Sequence, residues 1–422
     1  MVKNVEKLLI VLVLLGQLWA QGYNLPFFPS TPAYLLALIG LSMLVCIRAV
    51  LEKGGGLSFT GMSAIAVLMV GNILFVFLVT DSFNAGRFIL IICSFLFMAS
   101  CSQCIEEEKD INFFLYCYLA IVFVSSLFVI GQYYEIPICT EIWEKLHPDI
   151  NISKFDRNKL EAATEGSRYL GLASDALQMG YHASTAFIIT LFSRFNGKKL
   201  IKFALLVVFV YALYLNETRS SWIAALAGLF FFVVKKPKGE MSQMKAFMRL
   251  FAQMGLVFAL LVVLMNEINL FAGTRFMQMD AGTSARIPMI LTAFNHALHH
   301  PFGMGVYSVE PSLAIGATAA EKVYVIKNTA HNLLGNCVAS YGFIGLFLML
   351  WFYIRAYKDY KTIWKSNLDD RPYFTALACL VGLFINAFFH NSYMLNGELS
   401  SFLMFGVLVA GIALVEKNGR EE

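Results

Sequence analysis

The stretch "TAHNLLGNCVASYGFIGLFLML", Thr329 to Leu350, decides how the rest of the chain is read. From Leu333 onward it is apolar enough for a membrane helix, because a run of about 20 such residues crosses roughly 30 Å of hydrocarbon. Yet it opens on His331 and Asn332, two groups costly to place in lipid. A span that begins on an imidazole has its polar head at a boundary, and that boundary is a place for chemistry.

Similar runs recur in both directions. Twelve candidate spans lie near 5–21, 32–51, 62–80, 88–104, 112–133, 176–193, 200–216, 220–234, 247–266, 331–354, 373–390 and 399–415, the 220–234 run being the shortest. In lipid each must be a helix, since every backbone donor and acceptor has to be satisfied within its own segment. The 422-residue composition agrees: 58% hydrophobic, 14% charged, 38 Phe and a mean hydropathy of +0.67. A soluble domain is far more polar. The expected fold is an all-α, polytopic transmembrane helix bundle of about twelve spans.

The larger share of the 32 Lys and Arg lies in short connections such as Lys198, Lys199 and Lys202 or Lys358, Lys361 and Lys365. Basic residues in short connections mark the cytoplasmic side, which places both termini inside. The first span follows Lys3 and Lys7 but lacks a small-x-small cleavage site at Leu18 and Ala20, so it reads as a span and not a signal peptide. Five segments follow: N-terminal helices over 1–133, a first outer loop over 134–175, central helices over 176–266, a large outer loop over 267–330 and C-terminal helices over 331–422.

The cytoplasmic connections are too short for a nucleotide-binding domain and contain neither a phosphate-binding G-x-x-x-x-G-K-[ST] loop nor a D-x-D cluster. Nothing points to nucleic acid. The Cys101 and Cys104 pair in "CSQC" has redox spacing, but it ends an apolar helix beside no other ligand and reads as structural. With only Cys139 clearly in an outer loop, no disulfide framework follows. No internal repeat of the transporter type is visible.

The two outer loops are long, and loops of that length in a compact protein usually carry function. In the second, "SARIPMILTAFNHALHHP" predicts a helix with Ser284 as N-cap, Pro288 in the first turn and Pro301 as its stop. Its Ile287, Ile290, Leu291, Phe294 and Leu298 share one face. Such a helix lies on the membrane–water boundary or packs on the spans as an ordinary loop helix; the sequence leaves both open. His296, His299 and His300 follow one another closely, but no acidic or thiol partner stands at zinc spacing, so they read as a solvated face.

Polar groups gather on the outer side: Arg168 before the sixth span, Arg219 in "LNETRSSWIAALAG" between the seventh and eighth, Arg275 and Arg286 in the second loop, and His331. Arg219 taken alone reads as a snorkelling side chain paired with Glu217. Several outer arginines together suit a lipid-linked pyrophosphate, because the guanidinium fork matches phosphate oxygens and stays charged. No outer carboxylate cluster stands ready to hold a metal, so arginine takes the charge-stabilising role. His331, with an ordinary pKa near 6.5, suits a general base; the plain alternative is a helix cap. Gly335, Gly342 and Gly345 thin one side of its helix for close approach. His390-Asn391 echoes His331-Asn332 at another outer span end, whereas His182 and Glu398 fall within or near spans, His182 reading as bundle packing.

At this point the sequence resembles the bacterial O-antigen ligases and the related O-antigen polymerases. The ligase pattern is His, then Asn, Ser or Gln, nine residues, Gly, two residues, then Gly, Thr or Tyr; His331, Asn332, Gly342 and Gly345 fit it without a gap. "TRSSWIAAL" looks like the family's Arg-bearing turn, with Ile223 where Leu is frequent. "SARIPMILTAFNHALHHPFGMGVYS" looks like its outer-loop helix and Pro-x-Gly-x-Gly turn, and "RYLGLASDALQMG" resembles the upstream arginine segment. The likeness runs over roughly 166–350; the first 130 residues match only as membrane helices.

The resemblance implies a metal-independent, inverting glycosyl transfer at the periplasmic face of the bacterial inner membrane, with no cofactor. The donor would be a glycan on undecaprenyl pyrophosphate. The acceptor would be lipid A–core oligosaccharide in a ligase, or another lipid-linked repeat in a polymerase. Arg219 and Arg286 would hold the pyrophosphate and His331 would activate the acceptor hydroxyl, with Arg168, Asn332, Arg275 and His390 as binding candidates. A polysaccharide flippase or other transporter is the competing class; it expects functional charges near the midplane, not at one face.

Overall fold

The computed structural model describes residues 2–21, 23–25, 28–51, 61–80, 84–147, 169–193, 195, 198–234, 286–305, 310–316, 322–323, 325–326, 330, 332–388 and 394–421. Its long elements are helices: α1 (Val2–Trp19), α2 (Ala33–Leu51), α3 (Gly61–Val79), α4 (Ala85–Cys104), α5 (Glu108–Tyr133), α6 (Pro137–Leu146), α7 (Ala176–Phe192), α8 (Lys199–Asn216), α9 (Arg219–Val234), α10 (Arg286–His299), α11 (Leu333–Lys365), α12 (Arg371–Ala387) and α13 (Leu399–Glu421). A short antiparallel ribbon, β1 (Asn24–Leu25) with β2 (Phe28–Pro32), joins α1 to α2.

Every predicted span coincides with a helix except 247–266, which lies outside the described residues. Six helices, α3, α4, α5, α8, α11 and α13, are long and apolar enough to cross a membrane. The others are shorter or more polar: α1 carries Lys3, Glu6 and Lys7, and α12 has 17 residues. A helix enclosed by neighbours has less need of an apolar surface than one facing lipid. The outward faces are greasy all the same. Leu8, Met43, Val67, Leu78, Phe203, Phe347 and Ile354 are exposed large hydrophobics, as expected of side chains that meet acyl tails.

Inside, α11 and α13 form the spine. α11 packs against α3, α10, α12 and α13, while α13 also lies along α4; α7 and α9 close the bundle against α12. An aromatic layer fills the centre, with Phe95 edge-on to Phe402 at 5.1 Å and Phe352 edge-on to Phe405 at 4.6 Å. Edge-to-face pairs set ring hydrogens against a neighbour's electron-rich face.

One end of the bundle is an ion-pair cluster. Lys7 meets Asp110 at 2.7 Å, Lys3 pairs with Glu106, and buried Arg48 meets buried Glu6 at 2.6 Å. A buried pair offsets its desolvation only with further hydrogen bonds, and Cys104 Sγ donates one to Glu6 Oε2 at 3.2 Å. Cys101 and Cys104 are both buried free thiols, so the "CSQC" pair serves packing.

The opposite end carries two features that position the site. The first is a break in α11. Gly342 has φ 69° and ψ −173°, a backbone region that is essentially glycine-only. The break frees carbonyls for the turn Pro301–Gly305: Met304 N–H donates to Ala339 O at 3.1 Å and Gly305 N–H to Ser340 O at 2.8 Å, while Phe343 N–H donates to Pro301 O at 3.1 Å. A Cβ on Gly342 would stand 2.2 Å from Pro301 O, and one on Gly303 2.5 Å from Ser340 O. Gly342 is therefore a backbone break that receives a turn, which corrects the expectation that it thins the helix for another helix. Gly335 does fit that expectation, with Ala293 of α10 at 3.3 Å from where its Cβ would be.

The second feature is α10. It packs on α11 through Ala293, which clusters with Ala339; Met289 and Ala297 are fully buried too, while Leu291 and Leu298 are exposed. The expected apolar face is thus split. Small residues win the contact because the Gly335 surface admits close approach, and the large leucines are left on the outside. In the first outer loop, α6 was not anticipated, although Pro137 at its start and Cys139 and Trp143 four apart are its sequence signal. Trp143 is buried and its Nε1–H donates to Ala173 O at 2.7 Å.

Candidate active site

Asn332 is the N-cap of α11. Its Oδ1 accepts from Leu334 N–H at 2.9 Å and Gly335 N–H at 3.1 Å, satisfying two donors that the helix start leaves without intrahelical partners. Its Nδ2–H donates to Phe388 O at 2.7 Å. One buried amide therefore caps α11 and ties it to the C-terminus of α12.

From α12 the linkage runs on. Asn386 Nδ2–H donates to Ser221 Oγ at 3.3 Å in the first turn of α9. Arg219 is the first residue of that helix. Just before it, Glu217 holds the left-handed conformation, φ 51°, which is uncommon without a glycine. Asn216 fixes the turn by donating through Nδ2 to Tyr169 O at 2.9 Å and to Ala176 O at 2.7 Å. Gly180 lets α7 approach, since a Cβ there would lie 2.5 Å from both Asn216 Oδ1 and Ser221 Oγ.

The segment 169–175 is itself braced from α5. Gln132 donates to Gly171 O at 2.8 Å and accepts from the N–H groups of Leu170 and Gly171, and Ser125 Oγ accepts from Leu172 N–H. Asn216, Ser221, Asn386, Gln132 and Ser125 hold the backbone around the candidate residues, and the sequence singled out none of them. Buried amides in apolar helices were the available signal.

Asn332 is the one sequence-nominated site residue whose side chain is described. Arg219 and Arg286 are placed as the first residues of α9 and α10; their side chains, and with them the Arg219–Glu217 pairing, lie outside the described residues, as does the Ser284 cap. Arg168, Arg275, His331 and His390 also lie outside them. The described backbone brings Tyr169, the α9 start, the α12 end and the α11 start into one hydrogen-bonded linkage. α10 joins through its packing on α11.

Arg87 is a further cation at this end. Its guanidinium stands 5.4 Å from the centre of the Tyr341 ring and donates to Asn396 Oδ1 at 3.0 Å. A cleft lined by Glu108, Asp369 and Arg371, among others, lies at the ion-pair end, away from this linkage.

His182 is buried in the bundle. Its Nδ1 is 2.7 Å from Tyr118 Oη, and its Nε2 stands 4.0 Å from Glu398, a packing arrangement as read from the sequence. The histidines of α10 differ from the expected solvated face. His296 is fully buried, stacks on His300 with centroids 4.6 Å apart, and Glu310 Oε1 lies 2.9 Å from His300 Nε2. Glu310 is the acidic partner that sequence spacing did not reveal. Burial holds the His296 imidazole below its ordinary range, with the neighbouring His300 adding to the effect.

Residues 204–350 match the family model described as O-antigen ligase, a domain consistent with the O-antigen ligase and polymerase superfamily. No curated protein matches the chain. The matched segment holds Arg219, Arg286, Asn332, the Pro301–Gly305 turn and the Gly342 break. It supports glycan transfer of the ligase or polymerase type on lipid-linked glycans in general, and with six membrane-length helices the chain is a multi-pass membrane protein.

Proposed function

We propose, from the O-antigen ligase domain at residues 204–350, that this protein transfers a glycan from undecaprenyl pyrophosphate to a hydroxyl of lipid A–core oligosaccharide. The reaction takes place at the periplasmic face of the inner membrane, with both termini cytoplasmic. The observation that carries this reading is the linkage from Asn332 through Phe388, Asn386 and Ser221 to the Arg219 turn and Tyr169. It supports a single site in which an imidazole and several guanidinium groups act together.

In this reading His331 accepts the proton of the acceptor hydroxyl. The oxygen attacks the anomeric carbon as the bond to the pyrophosphate breaks, with inversion, and undecaprenyl pyrophosphate leaves. Arg219 and Arg286 stabilise the charge that grows on the leaving group, a role that needs no metal, and Arg168, Arg275 and His390 help bind the two substrates. Proteoliposomes given purified undecaprenyl-pyrophosphate glycan and core acceptor test it. Free undecaprenyl pyrophosphate is expected, with its release falling by about 10²–10⁴ in His331→Ala, the usual contribution of a general base. Glycan translocation without release would sink the proposal. Lipid profiles of a deletion strain separate ligase from polymerase: long lipid-linked polymer marks a lost ligase, single repeats on core a lost polymerase.

A further inference from the structure

We propose that His296, His300 and Glu310 form a binding site for a borderline divalent cation of the zinc class. The ligand atoms of all three lie within 4.8 Å of one another. Two of the residues are histidines four apart, His296 in the last turn of α10 and His300 just past its end, where His300 N–H still donates to His296 O at 2.9 Å; four residues is the spacing by which helices present a pair of imidazoles to zinc. The third is a carboxylate from a separate segment. Two histidines and one acidic residue make a recognised zinc ligand set, with a fourth position open to water.

The second observation is His296 itself. It is 0% exposed, and among the described residues neither Nδ1 nor Nε2 has a hydrogen-bond partner. A buried imidazole with both nitrogens unmet is costly. A bound cation resolves it, because the neutral ring offers a lone pair to a metal. Tetrahedral coordination at about 2.1 Å places ligand atoms roughly 3.4 Å apart, so a small inward movement of the His296 ring and an opening of the His300–Glu310 contact would close the site.

The segment that brings Glu310 is already pinned to α10. Ile315 N–H donates to Thr292 Oγ1 at 2.9 Å and Asn295 Nδ2–H donates to Leu313 O at 3.0 Å. The cation would complete this attachment. Since His300 immediately precedes the turn docked in the α11 break, it would also fix where that turn leaves α10. The site shares no residue with the proposed transfer reaction, so either proposal can fail alone.

The test uses the full chain in detergent, stripped with EDTA and titrated with Zn²⁺ against a chromogenic chelator. One tight equivalent is expected per chain, weakened at least tenfold in Glu310→Gln and in His300→Asn, with unchanged size-exclusion profiles. Co²⁺ added to the unsubstituted protein should give the visible absorption of a tetrahedral N/O site. Equal Zn²⁺ affinity in the unsubstituted protein and both variants, or no such Co²⁺ band, overturns the proposal.

Discussion

Asn332 shows how much one side chain can decide. It caps α11 with its oxygen and binds the end of α12 with its nitrogen, so the two functions can be separated chemically. Asn332→Asp keeps an oxygen for the cap but cannot donate to Phe388 O, whereas Asn332→Ala loses both. Loss of a cap costs about 0.5–2 kcal/mol, and an unmet buried carbonyl about 1–3 kcal/mol more. Thermal unfolding should therefore rank Asn332 above Asn332→Asp and Asn332→Ala lowest; equal melting temperatures for the two variants would contradict the bridging role. The pairing of His331 with Asn332 was legible as a motif. That Asn332 reaches α12 was not, because its partner lies 56 residues away in the chain.

At the scale of elements, the joint between the Pro301–Gly305 turn and α11 carries the most consequence. Two glycines meet there, Gly303 at φ 83° and Gly342 at φ 69°, and each leaves room that the other's backbone fills. In Gly342→Ala the added methyl meets Pro301 O, and the φ is one that alanine resists. We expect a loss of about 1–3 kcal/mol, the usual cost of a residue forced into such a region, and faster limited proteolysis after Phe302. Gly71→Ala in α3 is the comparison, because nothing lies within 4 Å of where its Cβ would stand; it should be milder. Comparable proteolysis of the two would argue against a backbone role for Gly342. The sequence marked Gly342 and Gly345 by spacing, but a helix break and a small-residue contact look alike in one dimension. The same ambiguity affects α10, whose leucines read as its buried face until the Gly335 surface is set against Ala293.

Across the whole molecule, the two ends of the bundle differ in kind. One is held by carboxylate–cation pairs at Lys3, Lys7 and Arg48; the other by neutral amides and glycines around the proposed site. Orientation follows if the basic end faces the cytoplasm. In a Cys46→Ser background, which removes the exposed native thiol, Leu298→Cys should react with a membrane-impermeant maleimide in spheroplasts. Lys358→Cys should react only after permeabilisation. The reverse pattern would place the proposed site on the cytoplasmic side and remove the periplasmic reading.

Sequence by itself determined that this chain is a bundle of apolar helices, roughly where the described ones lie, and which residues have the chemistry for phosphate and proton handling, although α11 runs on to Lys365, past the span expected to end at 354. Hydrophobic run length and terminal caps are local properties, so they survive in a one-dimensional reading. Tertiary structure alone decided that α12 bridges the starts of α9 and α11, that Gly342 opens a helix to receive a turn, and that Glu310 stands opposite His300. Each depends on a hydrogen bond or contact between segments distant in the chain, and packing chooses among many partners that periodicity treats as equivalent.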